Sequence, residues 1–386
     1  MKKGGPWDFA ASFDPKLELL QALTAAVTVI GDDLYTQLGP ILGVPVLGGR
    51  IGGWKRVVSS GGLILTLDGN PKEGCLALMS HADIVGGIVR YVDPEGRVYF
   101  RSIGMNSDAL INQRVMITTT SGSVRGIITG VPPHLKTKGE EGKLPEPHDL
   151  FIEALIGGEK KVSDVVEAGN PFTVFSPFWQ ESGHIVCLGL DNALGVWANL
   201  GFLSWLMTTT PDSRPTVHIF LTREEETGAN GAERMLRDAR AFDPRPDFVL
   251  NVDTTACNNL PGLTPQKLGG PVVPEKMVVK FTDRGAIYSL RLAEALAKMA
   301  NGMDLECTRL VADTGATDGQ RGLQHGFATG AVAIPCKALH TAVVAAREST
   351  ARDVLGFLIG IVAYYPDWRE IRRRAREWSG ADQPQS

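Results

Sequence analysis

Polar residues that could bind a metal ion or move a proton follow short apolar segments of the sequence. They are His81, Asp191, Glu225, Glu226, Asp253 and His340. Ligand-binding residues of open α/β sheets gather beyond the carboxyl ends of the strands, so we expect these side chains to meet at one rim. Imidazole and carboxylate groups together, without thiolates, suit Zn²⁺, Co²⁺ or Mn²⁺. The sequence therefore predicts a metal centre.

Charge counting indicates how many ions such a centre would hold. If one glutamate of the pair Glu225 and Glu226 is counted, the set has three carboxylates and two neutral imidazoles and carries three negative charges. Two divalent ions bring four positive charges. A hydroxide that bridges the ions would supply the missing negative charge, because a metal ion lowers the pKa of bound water to about 7. A centre with two ions would therefore be electrically balanced and would carry its own nucleophile.

Each of these residues also has a simpler explanation. A histidine at a strand end, such as His81, is more often hydrogen-bonded than metal-bound. Asp191 could cap the helix that follows it, Asp253 could form an Asx-turn, and adjacent acids such as Glu225 and Glu226 often lie in a solvated loop. Independent caps and turns would not all fall at strand ends, which favours a shared site. No ligand role is expected for the remaining histidines, which are His134, His148, His184, His218 and His325.

Two different sequence patterns indicate which elements position these residues. From 86 to 168, short alternating segments such as "GGIVRYVDPEGRVYF" are separated by turn residues, which predicts a small β-barrel or sandwich. Elsewhere, strand patterns alternate with helical patterns such as "NALGVWANLGFLSWLM", which predicts a mostly parallel sheet covered by helices. We therefore expect an α/β catalytic domain formed by 1–85 and 169–386, with a β-domain inserted at 86–168.

Composition excludes several classes of protein. The 39 basic and 43 acidic residues nearly balance, and no basic stripe is interleaved with aromatics, so nucleic acid is not an expected partner. The five cysteines include no CxxC pair, which favours reduced thiols and a cytoplasmic location. Acids interrupt the N-terminal apolar segment, and the segment "VLGFLIGIVAYY" is too short to cross a bilayer. We expect neither an export signal nor a membrane partner.

The order of the short motifs resembles that of a known family. The motifs "SHAD", "LDNALG", "EETGANGA", "NVD" and "ALHT" follow one another as in the dinuclear cytosolic metallo-aminopeptidases of the tetrahedral or glutamyl aminopeptidase family, some of which are labelled endoglucanases. The resemblance runs from the N-terminal helix to the helix after His340. It implies a zinc exopeptidase-like α/β fold with an inserted β-barrel that serves dimerisation or assembly.

The resemblance implies a role for each metal-binding residue. His81, Asp191 and Asp253 match the ligands of one metal ion. Asp191, Glu226 and His340 match the ligands of the other, so Asp191 would bridge the two ions. The cofactors implied are two divalent ions per subunit, zinc first, with cobalt or manganese as alternatives.

The resemblance also implies roles for residues that do not bind metal. Glu225 matches the general acid/base that takes a proton from the hydroxide-forming water and returns it to the leaving amine. Asp83 matches the acid that orients the ring of His81. The family pattern further predicts a cis peptide between Asp191 and Asn192. One departure is Ile84, which stands where the family usually has a glutamate; it touches none of the presumed ligands.

The expected function is a metallo-aminopeptidase that removes N-terminal residues from short peptides. A related deacylase or carboxypeptidase would use the same ligands. An acetylated peptide distinguishes a deacylase from an aminopeptidase, because the aminopeptidase should reject it. A non-catalytic assembly or binding module is the alternative from another class, and metal content would distinguish it. The resemblance also implies a homo-oligomer, commonly a twelve-subunit tetrahedral shell. Arg284 and Asp318 are candidate residues of the substrate pocket.

Overall fold

Strands and short helices alternate along most of the chain. The computed structural model describes residues 16–26, 29, 54–139, 142–158, 160–208, 214–239, 243–268, 270–363 and 365–379. The N-terminal residues 1–15, on which the expectation of no export signal rests, lie outside these ranges. The strands are β1 (Trp54–Ser59), β2 (Gly62–Leu67), β3 (Cys75–His81), β4 (Gly86–Val92), β5 (Arg97–Ile103), β6 (Arg114–Thr119), β7 (Gly122–Thr129), β8 (Phe151–Ala154), β9 (Pro171–Val174), β10 (Trp179–Glu181), β11 (His184–Val186), β12 (Thr216–Thr222), β13 (Phe248–Ala256), β14 (Val278–Asp283), β15 (Ala286–Ile287), β16 (Thr308–Val311), β17 (Ala328–Lys337) and β18 (Ala345–Arg347). The helices are α1 (Leu17–Ala26), α2 (Ser107–Leu110), α3 (Leu190–Thr208), α4 (Asn230–Ala239), α5 (Pro265–Leu268), α6 (Leu290–Gly302), α7 (Gly319–Gln324), α8 (Glu348–Ala363) and α9 (Tyr365–Ser379).

A large mixed sheet forms the centre of the molecule. Its strand order is β1-β2-β12-β3-β13-β17-β18-β11-β10, and β14 joins it beside β17 together with β15 and β16. The central strands β12, β3, β13 and β17 run parallel to one another. The strands outside this centre, β2 on one side and β14 and β18 on the other, pair antiparallel with it. The α/β fold class is confirmed, and the parallel pairing is concentrated where strands alternate with helices along the chain.

Helices cover the sheet because their apolar sides need burial. Helix α3 is apolar on nearly every side and packs against β13, β3 and α8. Helix α8, which contains the apolar segment near the C-terminus, has its side chains largely buried in the same core. The segment is therefore part of a buried helix. In the described part of the chain, no helix is long and apolar enough to cross a membrane.

The inserted β-domain is a closed barrel of six strands, ordered β4-β5-β8-β7-β6-β9. Strand β5 alternates exposed and buried residues, as expected for a strand with one face in the barrel interior. Inside the barrel, the rings of Phe100 and Phe172 meet edge to face with centroids 5.0 Å apart. The barrel strands begin at Gly86 and end at Val174, a few residues beyond position 168.

Strand register brings the ends of the central strands to one edge of the sheet. His81, the last residue of β3, pairs with Thr222, the last residue of β12. On the other side of β3, Met79 pairs with Asn251 of β13, so Asp253 lies level with the end of β3. Because parallel strands end at the same edge, residues that follow them gather there. The barrel leaves the sheet at this edge, a few residues after His81.

Candidate metal and catalytic site

The polar residues singled out in the sequence meet at the carboxyl edge of the parallel strands. Each comes from a separate element: the end of β3, the start of α3, the loop after β12, strand β13 and the loop after β17. Their side chains are buried or half-buried, except for the more open His340. The side chains brought together are those of His81, Asp191, Glu225, Glu226, Asp253 and His340.

The carboxylate of Asp191 lies between the two histidines. Its Oδ1 is 3.3 Å from Nε2 of His81, and its Oδ2 is 3.6 Å from Nε2 of His340. On the His81 side, Oδ1 of Asp253 lies 3.5 Å from the same Nε2. On the His340 side, Oε2 of Glu226 lies 3.7 Å from that ring nitrogen. The donor atoms therefore form two groups that share one carboxylate.

Asp83 holds the segment that carries the paired glutamates. Its Oδ1 accepts a hydrogen bond from the backbone N–H of Glu225, and its Oδ2 accepts one from the backbone N–H of Glu226, each at 3.1 Å. Nδ1 of His81 lies 3.0 Å from the backbone carbonyl oxygen of Asp83 and 3.6 Å from its carboxylate. The carboxylate of Asp83 thus binds the glutamate segment, and its carbonyl oxygen makes the shorter contact with the imidazole.

Glu225 lies beside the donor groups in a largely buried position. Its Oε2 is 4.0 Å from Nε2 of His81, and its side chain is 11% exposed. Burial raises the pKa of the Glu225 carboxyl well above its usual range, with His81 acting in the opposite direction and Asp318 adding to the increase. Asp318 is itself fully buried, accepts a hydrogen bond from the hydroxyl of Thr222, and has its pKa raised by burial to about 7.

Glu224 has a different environment from its two neighbours. It adopts a positive φ of 59°, and its carboxylate pairs with Arg234 at 2.7 Å. A turn therefore separates Glu224 from the cluster and pairs its charge with a surface arginine. Of the three adjacent acids, only Glu225 and Glu226 face the histidines.

Backbone geometry fixes the position of Asp191. The peptide between Asp191 and Asn192 is cis, which confirms the expectation from the family pattern. The amide group of Asn192 donates to the carbonyl oxygen of Val252 at 2.9 Å, and its Oδ1 accepts the backbone N–H of Gly195 at 2.9 Å. The first of these hydrogen bonds ties the start of α3 to β13, the strand that carries Asp253, and the second lies within α3.

The electrostatics of the cluster favour bound cations. Burial raises the pKa of Glu226 to about 8, with the nearby Asp191 adding to the increase. The hydrogen bond to Asp191 raises the pKa of His340 to about 9 against the effect of burial. Oε1 of Glu226 is buried and has no hydrogen-bond partner among the described residues. Crowded carboxylates with an unpartnered buried oxygen are the environment that a divalent cation neutralises, so the residues fit an N- and O-coordinated metal ion.

The histidines without an expected ligand role make ordinary contacts. Nδ1 of His218 lies 2.8 Å from the hydroxyl of Thr66, and Nε2 of His325 lies 2.9 Å from Glu233. His184 lies beside Glu275, at 3.4 Å. His134 and His148 lie in short 3₁₀ helices between strands of the barrel.

Three other residues have environments outside the donor groups. Ile84 is buried in the main apolar core, so the residue that replaces the family's usual glutamate is used for packing. Thr341 is half-buried, and its hydroxyl donates to the carbonyl oxygen of Ala338 at 2.8 Å. Arg284 is exposed and does not line the described cavity beside the cluster.

A cavity of about 570 Å³ opens beside the cluster. The donor residues and Glu225 form one side of it, and the loop 311–317 forms part of the other. Lys280 of β14 also lines the cavity and is 5% exposed. Lys280 is not predictable as a cavity residue from the sequence, because "MVVKFTD" has the pattern of an ordinary strand. A single lysine within an apolar strand is the available signal.

The fold and the site together define a class of protein. An α/β sheet with an inserted barrel, and a buried imidazole–carboxylate cluster at the strand ends, indicate a metal-dependent hydrolase. A family model for the M42 glutamyl aminopeptidases matches residues 61–354. The chain belongs to the M42 glutamyl aminopeptidase family and is a hydrolase of the metallo-aminopeptidase type.

A curated relative agrees with this assignment. FrvX of Escherichia coli (strain K12), provisionally named an aminopeptidase, is 28% identical to this chain over 342 residues. The match covers 84% of this chain and 88% of FrvX. The similarity therefore extends over both the sheet and the barrel.

Solved structures share the fold. A TET aminopeptidase from a marine sediment archaeon of the Thaumarchaeota has a TM-score of 0.80 at 22% identity, covering 96% of this chain and 100% of that chain. The TET1 peptidase of Pyrococcus horikoshii has a TM-score of 0.75 at 22% identity, covering 90% of this chain and 98% of that chain. These matches confirm the expected architecture.

Proposed function

We propose that this protein is a two-metal aminopeptidase that releases N-terminal residues from short peptides. The observation that carries the proposal is the position of Asp191, which offers Oδ1 to the His81 group and Oδ2 to the His340 group. A carboxylate in that position can bridge two ions, with one ligand group on each side.

In this proposal the donor groups hold one ion each. His81, Asp191 and Asp253 would hold the first ion, and Asp191, Glu226 and His340 would hold the second. Bound divalent ions supply Lewis acidity for the scissile carbonyl and lower the pKa of water. Zinc is the ion we propose first, with cobalt and manganese as alternatives, because ligands of this type accept all three.

Glu225 is the general acid/base in this proposal. Its carboxylate is beside the donor groups but outside both, a position from which it can exchange a proton with a water held there, and burial raises its pKa above the usual range. It takes a proton from the attacking water and returns it to the leaving amine. Asp83 supports this role by holding the backbone of Glu225 and its neighbour Glu226.

Release of single amino acids from short peptides tests the proposal. The protein is assayed after chelation and after addition of Zn²⁺, Co²⁺ or Mn²⁺, on free and on N-acetylated peptides. We expect metal-dependent release from the free peptides and none from the acetylated ones. Preferred cleavage of acetylated substrates would favour a deacylase instead, and absence of turnover with every ion would overturn the proposal.

We also propose that the chain assembles into a homo-oligomer, with 1–85 and 169–386 as the catalytic domain and the barrel, assigned to 86–168, as the assembly domain. The P. horikoshii TET1 peptidase, according to its title, can assemble into a tetrahedron or a large octahedral shell. Exposed apolar side chains support contacts through the barrel and the segment after it, among them Leu155, Phe175 and Trp179. A dodecamer is the assembly we expect by light scattering, and a monomer at micromolar concentration would contradict it.

A cytoplasmic location completes the proposal. All five cysteines are free thiols, and burial raises the pKa of the Cys75 and Cys336 thiols far above their ordinary value. Buried thiols of this kind are inert and suit a reducing compartment. Fractionation of cells that produce the protein would test the location.

A further inference from the structure

The loop 311–317 forms a wall of the cavity across from the proposed ligands, and much of it is open to solvent. Its residues 313–316 are exposed, and none of them belongs to a helix or strand. An exposed loop has few apolar contacts to fix its position, so its geometry depends on hydrogen bonds to its neighbours. The neighbour in this case is the hairpin of β14 and β15.

The hairpin holds the first part of the loop at two points. Near the start of the loop, the hydroxyl of Thr282 accepts the backbone N–H of Ala312 at 3.0 Å. In the middle, the backbone N–H of Arg284 donates to the carbonyl oxygen of Gly315 at 2.8 Å. Both hairpin residues lie where β14 turns into β15. The end of the loop is held differently, by side chains.

A buried cluster of three side chains fixes the end of the loop. The hydroxyl of Tyr288 donates to Oδ2 of Asp283 at 2.6 Å, and its oxygen lies 2.8 Å from Oγ1 of Thr317. That Oγ1 also lies 3.3 Å from Oδ2 of Asp283. Tyr288, Thr317 and Asp283 are 1%, 3% and 6% exposed. Thr317 is the member of this hydroxyl cluster that lines the cavity.

The hydroxyl cluster contains strong hydrogen bonds. Oδ1 of Asp283 accepts the backbone N–H of Gly285 at 2.9 Å, so both oxygens of the carboxylate have donors. Burial raises the pKa of Tyr288 well above its ordinary value, with Asp283 adding to the increase, so the phenol keeps the proton that it donates. Hydrogen bonds to a carboxylate are stronger than those between neutral groups. The cluster is therefore suited to holding one end of an exposed loop.

Close packing connects the hydroxyl cluster to the start of α7. Oγ1 of Thr317 accepts the backbone N–H of Gly319 at 3.3 Å, and a Cβ atom at Gly319 would lie 2.8 Å from Cε1 of Tyr288. The ring of Tyr288 thus lies against the residue that follows Asp318. Asp318 is the buried acid that adds to the increase in the pKa of Glu225. The cluster lies at the point where the cavity wall ends and the surroundings of the proposed base begin.

We propose that Tyr288, together with Thr317 and Asp283, is a positioning residue for substrate binding, which holds the loop 311–317 at the distance from the ligands that a bound peptide requires. Tyr288 acts through the loop. The inference rests on the proposed aminopeptidase function and adds residues that set the strength of substrate binding. Because the loop lies across the cavity from the donor groups, its displacement should raise KM and leave kcat nearly unchanged.

Removal of the Tyr288 hydroxyl tests the effect on binding. Tyr288→Phe keeps the ring that packs on Gly319. The metal-loaded protein is assayed on the best substrate among the p-nitroanilides of leucine, lysine and glutamate, with the corresponding free amino acid as inhibitor. We expect KM and the inhibition constant to rise by about 10-fold, with kcat within about three-fold of wild type. Thr317→Val, which removes the other hydroxyl, should have the same effect.

The double variant tests whether the two hydroxyl groups act as a unit. If they do, Tyr288→Phe combined with Thr317→Val should raise KM by about as much as either change alone. An increase of about 100-fold would show that the groups act separately and would contradict the cluster. Tyr91→Phe is the control, because Tyr91 of β4 is 52% exposed and does not line the cavity. The control should keep the wild-type KM.

Hydrogen–deuterium exchange with mass spectrometry measures the loop without a substrate. In Tyr288→Phe, the backbone amides of 311–319 should exchange about 10-fold faster than in wild type, because the hydrogen bonds that hold the end of the loop are lost. The amides of β5 in the barrel are the internal reference and should be unchanged. This measurement needs no turnover, so it tests the position of the loop separately from the proposed activity.

Three outcomes overturn the inference while leaving the proposed function intact. The first is a wild-type KM in Tyr288→Phe, whether or not exchange within the loop changes. The second is a fall in kcat at unchanged KM, which would connect the cluster to proton transfer. The third is faster exchange throughout the protein, which would mean that the hydroxyl groups stabilise the whole fold.

The failure of a variant to fold and the failure of the proposed function are distinguishable from these outcomes. If Tyr288→Phe does not fold, Thr317→Val provides the same comparison of KM, kcat and exchange. Failure of the wild-type protein to cleave any of the substrates with any ion would count against the aminopeptidase function itself. The exchange of the loop would still report whether the hydroxyl cluster holds it.

Discussion

The carboxylate of Asp83 accepts the backbone N–H of Glu225 at 3.1 Å, and its second oxygen accepts the next backbone N–H at the same distance. Asp83 is fully buried, and it follows β3 by two residues. A carboxylate with two acceptor oxygens is required for this arrangement, because each oxygen receives one donor. Asp83 therefore links the end of β3, where His81 lies, to the loop that carries the proposed base.

Asp83→Asn should reduce activity through the position of Glu225. The amide NH₂ group cannot accept the backbone N–H that faces it, which leaves a buried donor unsatisfied at a cost of about 1–3 kcal/mol. We expect kcat/KM to fall by about 10- to 100-fold, in the range found for residues that support metal ligands. Steady-state kinetics check this, with Asp238→Asn on the exposed surface of α4 as the control. Wild-type kinetics in Asp83→Asn would contradict the linking role.

Glu225→Gln separates proton transfer from metal binding. The amide cannot carry the proton, so kcat should fall by about 10²- to 10⁴-fold, while the metal content should stay at the wild-type level. Glu224→Gln is the matched control, because Glu224 is adjacent in sequence but pairs with Arg234 away from the cluster. We expect the control to retain activity within a few-fold. A loss of bound metal in Glu225→Gln would show that Glu225 is a ligand and not the base.

Metal content should depend on Asp191 and His340 in different ways. Because Asp191 faces both histidines, Asp191→Asn should weaken the binding of both ions, whereas His340→Ala should weaken the binding of one ion. We expect about two ions per wild-type chain and about one per His340→Ala chain after dialysis against the metal. Elemental mass spectrometry of the metal and native mass spectrometry of the protein measure the number of ions bound per chain. Equal metal content in wild type and His340→Ala would contradict the two-ion centre.

Much of the site was predictable because the polarity of the sequence changes abruptly where the parallel strands end. His81, Asp253 and the paired glutamates each follow an apolar segment, and parallel strands necessarily end at one edge. The separation of Glu224 from its neighbours was not predictable from charge. It depends on a positive φ at Glu224 and on Arg234, which lies one helix further along the chain.

The remaining features depend on three-dimensional packing, which local patterns do not encode. Lys280 has the sequence context of an ordinary strand, and its burial beside the cavity depends on the elements that pack around it. The outer strands of the sheet also pair antiparallel. The hairpin of β1 and β2, for example, joins the parallel centre through the antiparallel pairing of β2 with β12. A pattern of alternating strands and helices predicts that centre but not what is added at its edges.

Gly195→Ala should destabilise the protein near the site. Gly195 lies in α3, and a methyl group there would overlap the carbonyl oxygen of Val252 and Oδ1 of Asn192. We expect a loss of about 1–3 kcal/mol in the free energy of unfolding, because backbone atoms of β13 cannot move away easily. Gly302→Ala is the control, since a methyl group at Gly302 meets open space and a helical alanine is favoured there. Denaturant unfolding compares the two, and equal stability of both variants would contradict the close packing of α3 on β13.

Glu275 should give the protein a stability that depends on pH. Burial alone would raise the pKa of Glu275, but hydrogen bonds from Lys337 and Arg347, at 3.1 Å each, outweigh it and hold the pKa below its ordinary value. A carboxyl group with a lowered pKa in the folded state stabilises that state above its unfolded pKa of about 4.3, and this stabilisation disappears as pH falls through the folded pKa. Glu275→Gln should therefore have a lower Tm than wild type at pH 7, and the difference should shrink below about pH 4.

Thermal unfolding at pH 7 and at pH 3 to 4 measures the difference between Glu275→Gln and wild type. Comparison of the two proteins at each pH removes the effects of acid that they share, such as weaker metal binding. Glu294→Gln is the control, because Glu294 pairs with Arg309 on the exposed surface, where ion pairs contribute little. A difference in Tm between Glu275→Gln and wild type that is as large at low pH as at pH 7 would mean that the ionised carboxylate is not the source of the stability.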